Sequence, residues 1–171
     1  MLKKFLLTFA FMGVIFTGFA QNVDFGLTGG FANIAERIKE GNTTISNSES
    51  GIYVGAFADF EVNSGFSIQP ELLYVTVEEF QSLVVPISAK FYMTDIFNIQ
   101  VGPQLAFILE EIPDSFTGVQ IDIAGGIGLD ITELFFVQAR YSYQLNNTFT
   151  GSDDVKIKYN YLTIGVGYKF W

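Results

Sequence analysis

The side chains able to do chemistry in this chain are acids and a few bases. With neither Cys nor His, the usual zinc, haem and iron–sulfur ligands are missing, and so are both histidine-dependent nucleophile systems. Three adjacent acidic pairs stand out: Glu78-Glu79, Glu110-Glu111 and Asp153-Asp154. Neighbours on a strand point to opposite faces, so such doublets do not converge on one substrate as paired acid and base. No calcium-loop pattern surrounds them. Gly125-Gly126-Ile127-Gly128 opens no helix and is not a dinucleotide fingerprint. The informative charges are single ones set in otherwise apolar stretches: Glu71, Lys90, Asp122 and Arg140, with Asp59 and Lys169 beside them. No catalytic, cofactor-binding or metal residue is assigned, and the chain is read as non-enzymatic.

The elements that must position those charges alternate with period two, in segments of roughly ten residues. Eight are expected: Val23–Ala32, Gly51–Phe60, Phe66–Val75, Ser82–Tyr92, Phe97–Leu109, Val119–Leu129, Phe135–Gln144 and Tyr159–Phe170. Their connections alternate too. Glu61–Gly65, Met93–Ile96 and Asp130–Leu134 are tight, whereas Asn33–Ser50, Glu110–Gly118 and Leu145–Lys158 are long and Thr76–Gln81 is short. Tight links at one rim and mostly longer ones at the other describe an up-and-down barrel whose even strand count returns both termini to the short-turn rim.

Splitting each segment by parity separates two chemistries. The fifth gives Phe97, Ile99, Val101, Pro103, Leu105 and Phe107 against Asn98, Gln100, Gly102, Gln104 and Ala106; the sixth gives Val119, Ile121, Ile123, Ile127 and Leu129 against Gln120, Asp122, Ala124, Gly126 and Gly128. A soluble lipocalin-like barrel would turn the apolar face inward around a small apolar ligand. A membrane barrel turns it toward lipid. The aromatics favour the second. Phe60 and Phe66, Phe91 and Phe97, and Leu129 and Phe135 flank the three tight turns on the apolar face, joined at that rim by Phe25 and Phe170. The set Phe25, Phe60, Phe66, Phe91, Phe97, Phe135 and Phe170 reads as a periplasmic aromatic girdle, with Tyr74, Phe107, Tyr141 and Tyr143 as an upper ring.

The polar face then looks into a narrow lumen. Eight strands leave an interior that side chains just fill, and charges buried there must pair. Setting Leu129 opposite Phe135 puts Ala124 opposite Arg140 and Asp122 diagonally beside it. Arg140–Asp122 is the expected pair, with Glu71 a second partner across the lumen and Lys90 left without an assigned partner. Glu71, Lys90, Asp122 and Arg140 are thus expected to form a structural charge network rather than an ion or proton path. Gly26, Gly30, Gly55, Gly126, Gly128, Gly165 and Gly167 fall on this face, where missing side chains make room for Arg140, Lys90, Tyr53 and Phe136.

Met1–Ala20 combines a basic start (Lys3, Lys4), an apolar run from Phe5 to about Phe16, and small residues Gly18 and Ala20 before Gln21. That pattern predicts a cleavable signal peptide over residues 1–20 and a barrel domain over 21–171. No Cys follows for a lipid anchor. Nine Lys and Arg stand against eighteen Asp and Glu, a formal charge of −9, so no basic stripe is expected for nucleic acid. The expected outer loops hold Glu36, Glu40, Glu49, Glu78, Glu79, Glu110, Glu111, Asp114, Asp153 and Asp154 against Arg37, Lys39, Lys156 and Lys158. They read as an acidic rim, a solvated surface on which divalent cations could bridge to anionic lipid. At the other end Tyr168 and Phe170 stand two apart, followed by Trp171, an arrangement that resembles the C-terminal assembly signal of outer-membrane barrels.

Ile68-Gln69-Pro70-Glu71-Leu72-Leu73-Tyr74, Val85-Pro86-Ile87-Ser88-Ala89-Lys90-Phe91 and Val101-Gly102-Pro103-Gln104 come in sequence, followed by Gly125-Gly126-Ile127-Gly128-Leu129 and Val137-Gln138-Ala139-Arg140-Tyr141. With the Gly-Tyr-Lys-Phe end, this series resembles the PorT-like porin-family outer-membrane β-barrels of Bacteroidetes. The resemblance implies an eight-stranded barrel in the bacterial outer membrane, and "porin" there labels a fold rather than an activity. The reading from sequence is therefore an all-β, eight-stranded antiparallel up-and-down transmembrane β-barrel behind a cleavable signal peptide. Its expected role is envelope-structural or surface-binding, without cofactor. The expected partners are outer-membrane lipid, the Sec export and barrel-assembly machinery, and a ligand or protein at the outer loops. The alternative is a secreted lipocalin-like carrier.

Overall fold

A computed structural model describes residues 23–41, 43–78, 80–110, 116–149, 151 and 155–170. The leader over residues 1–20, Glu79, Glu111, Asp114, Asp153, Asp154 and Trp171 lie outside the described residues. The strands are β1 Val23–Glu40, β2 Thr43–Asn63, β3 Phe66–Val77, β4 Phe80–Tyr92, β5 Phe97–Ile108, β6 Val119–Asp130, β7 Phe135–Gln144 and β8 Val155–Lys169. Each pairs antiparallel with its neighbours in sequence, and β1 also pairs with β8 to close the barrel.

Two of the three tight turns, Met93–Ile96 and Asp130–Leu134, share one chemistry. Thr94 and Thr132 each accept a hydrogen bond from a backbone N–H three residues on, that of Phe97 and Phe135, both at 3.0 Å. The second turn closes on Ile131 N to Phe135 O at 2.8 Å, so Leu129 faces Val137 and Gly126 faces Arg140. The expected pairing of Leu129 with Phe135 is therefore two residues out of step, because the turn itself spans Ile131–Phe135.

The long rim differs more. The expected loop Asn33–Ser50 is strand over Asn33–Glu40 and Thr43–Ser50. β1 and β2 pair without interruption from Val23↔Phe60 to Glu40↔Thr43, and β8 starts at Val155 rather than Tyr159, pairing with β1 as far as Glu40. A three-stranded tongue thus rises beyond the barrel. Its β2 part reads Thr-Thr-Ile-Ser-Asn-Ser-Glu-Ser and is exposed throughout. With water on both sides, neither face selects apolar residues, so the alternation that marks a half-buried strand is missing. The connection expected over Thr76–Gln81 is shorter: β3 runs to Val77 and β4 starts at Phe80, with Glu78 at φ 44°.

The barrel turns its apolar face outward. Phe25, Leu27, Ile52, Val54, Leu72, Ile99, Val101, Ile121, Ile123, Ile127, Ile164 and Val166 are exposed, while Gln69, Glu71, Lys90, Gln100, Gln104, Asp122, Gln138 and Arg140 are buried. This inverts a soluble protein's pattern, in which buried charge is rare and large apolar surface is covered. It is the arrangement a lipid solvent requires, with every backbone ladder closed on itself. Among the described residues no helix is long and apolar enough to cross a membrane; here strands do the spanning.

Candidate functional site: the charged lumen and its outer mouth

The lumen is stratified. Nearest the short-turn rim, Lys169 at the end of β8 lies 3.1 Å from Asp24 and 3.8 Å from Asp59. Lys90 on β4 follows, its Nζ donating to Asp59 Oδ2 and to Gln69 Oε1, both at 2.9 Å. The ammonium also faces the Phe136 ring at 5.3 Å, so a fully buried cation is held by an anion, an amide and an aromatic face.

One layer deeper, Arg140 on β7 forms an ion pair with Glu71 on β3, across the lumen, with both side chains almost wholly buried. Gln69 Nε2 donates to the same carboxylate at 2.8 Å and Gln138 Nε2 reaches it at 3.5 Å. Asp122 does not touch this pair. It accepts from Gln104 Nε2 at 2.8 Å and from Ser142 Oγ at 3.3 Å. The expected Arg140–Asp122 pair is therefore corrected: the two-residue register change moves Asp122 opposite Gln144, four positions along β6 from Arg140's partner Gly126.

The small residues beneath these groups act as sockets. A Cβ on Gly165 would fall 2.2 Å from the Tyr53 hydroxyl, and one on Gly167 would fall 2.1 Å from the Phe136 ring. Gly126 lies against backbone, where a Cβ would meet Ala139 O at 2.4 Å. Phe57 and Phe136 pack edge to face at 5.2 Å between the two ionic layers.

Toward the long rim the inward positions change character. Ala32, Ile34, Tyr53, Leu73, Val75, Val77, Val84, Ala106 and Tyr161 form a buried apolar cluster inside the barrel. Reading the inward face as polar missed it. The signal was present in Leu72-Leu73-Tyr74-Val75, where apolar residues occupy both parities. Above the cluster opens a cavity of about 550 Å³ lined by Glu36, Glu49, Glu78, Glu110, Phe80 and Tyr159 among others. The Tyr159 hydroxyl donates to Glu36 Oε1 at 2.9 Å, and its ring stacks on Phe80 at 5.7 Å. Among the described residues no group of three or more acids lies close enough to hold a metal ion.

The aromatics at the short rim point outward, and two of their ring contacts run between hairpins. Phe66 meets Phe91 at 5.1 Å and Phe135 meets Tyr168 at 4.9 Å, while Phe97 lies opposite Leu129 and Phe60 opposite Ile68. Tyr168 also touches Phe170 at 5.9 Å, and the Phe170 N–H donates to Phe25 O at 2.8 Å, tying the chain end to the first strand.

The arrangement can hold charge and exclude solvent; no nucleophile in it is set beside a base and an anion-stabilising donor. No protein-family profile matches the chain, and no curated protein does. Solved structures do. Ail, the attachment invasion locus protein of Yersinia pestis, superposes with a TM-score of 0.53 at 18% identity, covering 88% of this chain and all of that one. Neisserial surface protein A superposes at 0.51 and 16% identity, again over 88% of this chain and all of that one. At such identity the likeness is one of fold, and the fold is that of the eight-stranded outer-membrane β-barrel.

Proposed function

We propose that the chain is a small bacterial outer-membrane barrel with a non-enzymatic, envelope-structural or surface-binding role, and that side chains close its lumen to ion flow. One observation carries this reading: charged and amide side chains are buried inside, with Lys90–Asp59 and Arg140–Glu71 as ion pairs, while the aliphatic face is bare outside. An exposed aliphatic band encircling a barrel needs lipid. A lumen crossed by the Lys90–Asp59 and Glu71–Arg140 pairs and then by the Leu73, Val75 and Val84 layer leaves little room for a hydrated ion. The soluble-carrier alternative needs an apolar, roomy interior, which this lumen does not offer.

The finer assignments follow from the same reading. The leader directs Sec export and is removed after Ala20. Assembly machinery reads Tyr168, Phe170 and Trp171, and both termini lie in the periplasm with the long rim outward. The series of motifs from Ile68 to Tyr141 supports a PorT-like porin-family membership. Two measurements test the reading. The mature protein should require detergent for extraction from the outer-membrane fraction; recovery in the soluble periplasm refutes the membrane location. Purified monomer in planar bilayers should show little or no conductance; stable large channels refute the closed lumen.

A further inference from the structure

The seven described bases sort into two groups. Lys90, Arg140 and Lys169 lie in the lumen, each with a carboxylate partner. The other four are Arg37 and Lys39 on β1 and Lys156 and Lys158 on β8, and none of these makes an ion pair among the described residues. They belong to one patch. The register sets Arg37 opposite Lys158 and Lys39 opposite Lys156. Their parity is opposite to that of Ile34 and Glu36, which line the inner cavity, so all four point away from the lumen. Together with Thr44 and Tyr143 they line an outer groove of about 360 Å³ with no carboxylate among the described residues. Among the described residues, the acids Glu36, Glu49, Glu78 and Glu110 thus line the inside of the mouth, and these four bases face the outside.

Like charges directly opposite on a sheet face repel, and here two such pairs are adjacent. Lys158 is fixed in place: its Nζ donates to Gln144 O at 2.9 Å and reaches Leu145 O at 3.5 Å, and lies 4.8 Å from the Tyr143 ring centroid. Arg37, Lys39 and Lys156 surround it with exposed donors, and Ser46 and Thr44 follow on β2, opposite Arg37 and Lys39. An anion with several oxygens would relieve the repulsion and accept from a guanidinium fork, two ammonium groups and a hydroxyl.

The location selects the kind of anion. Tyr143 belongs to the outward aromatics that end the aliphatic band, and Val119, Ile121 and Leu145 nearby are exposed. The groove therefore opens sideways from the wall of the barrel, just above the apolar band, rather than upward into solvent. That is the level of lipid headgroups. We infer that Arg37, Lys39, Lys156 and Lys158 form a binding site for a phosphate-bearing lipid headgroup of the outer leaflet. The inference rests on the membrane reading above and adds a site and a ligand class to it.

The test uses the full mature protein reconstituted in phosphatidylcholine nanodiscs, undoped or doped with diphosphorylated lipid A, with lipid retention read by native mass spectrometry. The wild type should retain the phosphorylated lipid selectively. Lys39→Gln with Lys156→Gln should weaken retention by about 25-fold, at about fivefold for each basic side chain at an anionic surface, while Lys39→Arg with Lys156→Arg should retain it. Equal retention by wild type and the Gln pair overturns the site. Inositol hexakisphosphate binding the detergent-solubilised wild type as tightly as the lipid does, and lost in the Gln pair, overturns the lipid as occupant in favour of a soluble polyanion. Failure to enter undoped nanodiscs would refute the membrane reading itself, and with it the inference; entry without selective retention would refute the inference alone.

Discussion

The Glu71–Arg140 pair gives the sharpest test of how the lumen is held. Both side chains are almost wholly buried, so removing one charge strands the other in a medium that solvates it poorly. Glu71→Gln leaves the guanidinium with amides only, and Arg140 Nε has no protein acceptor to begin with. The expected cost is about 3–5 kcal/mol, the range for breaking a buried pair from one side. Arg140→Met should fall at the lower end, about 3 kcal/mol, because Gln69 and Gln138 still donate to the carboxylate. Glu71→Gln combined with Arg140→Met removes both charges and should cost only about 0–2 kcal/mol, since neutral replacements of a buried pair are often tolerated. The coupling energy should therefore reach at least about 3 kcal/mol. Urea titration of the barrel refolded in phosphatidylcholine vesicles, read by the mobility shift of folded barrel and by far-ultraviolet circular dichroism, measures all four corners of the cycle. Asp122→Asn against Arg140→Met is the control cycle. It should add within about 0.5 kcal/mol, because Asp122 is held by Gln104 and Ser142. Additivity in the first cycle, or strong coupling in the second, would show that Arg140 answers to Asp122 and that the register drawn for β6 and β7 is wrong.

Two further outcomes follow from the faces. Ile123, midway along the outward row of β6 and exposed, should resist charge: Ile123→Arg is expected to cost about 2–4 kcal/mol in bilayers, with no rescue by any lumen substitution, and a neutral result in the same urea titration would invert the face assignment. Gly167→Ala should cost about 1–3 kcal/mol by overpacking, since its methyl would enter the Phe136 ring; Phe136→Leu in the same chain should recover part of that loss, and simple additivity of the two would mean that the ring is not what the glycine accommodates.

The spanning strands were legible because lipid enforces a period. Wherever one face must be aliphatic and the other fills a narrow lumen, as along Phe97–Phe107 or Val119–Leu129, the alternation is plain and the face assignment follows from where the aromatics gather. The tongue was not legible, for the same physical reason. Thr43–Ser50 has solvent on both faces, so its strand character rests on Thr, Ile and main-chain pairing with β1, and it reads as a loop. Leu73, Val75 and Val84 show a further limit: parity told which way they point, but the habit of expecting polar groups inward hid an apolar layer in the lumen.

The ion pairs were the least legible, and the reason is geometric. A partner along a hairpin depends on the turn, and one turn containing Thr132 shifted the β6–β7 pairing by two residues. Partners across a lumen depend on something more remote. Strands in a closed barrel tilt, and the stagger accumulated around the ring fixes which layers meet. Glu71 and Arg140 are separated by 69 residues and lie on β3 and β7, so their meeting depends on every register in between, from β3–β4 to β6–β7. A single sequence specifies each of those steps only weakly, and an error at any of them changes the layer. The basic patch escapes this limit. Arg37, Lys39, Lys156 and Lys158 lie on directly paired strands at spacings of two, so once β1 and β8 are known to extend past the rim, their convergence follows from one register alone.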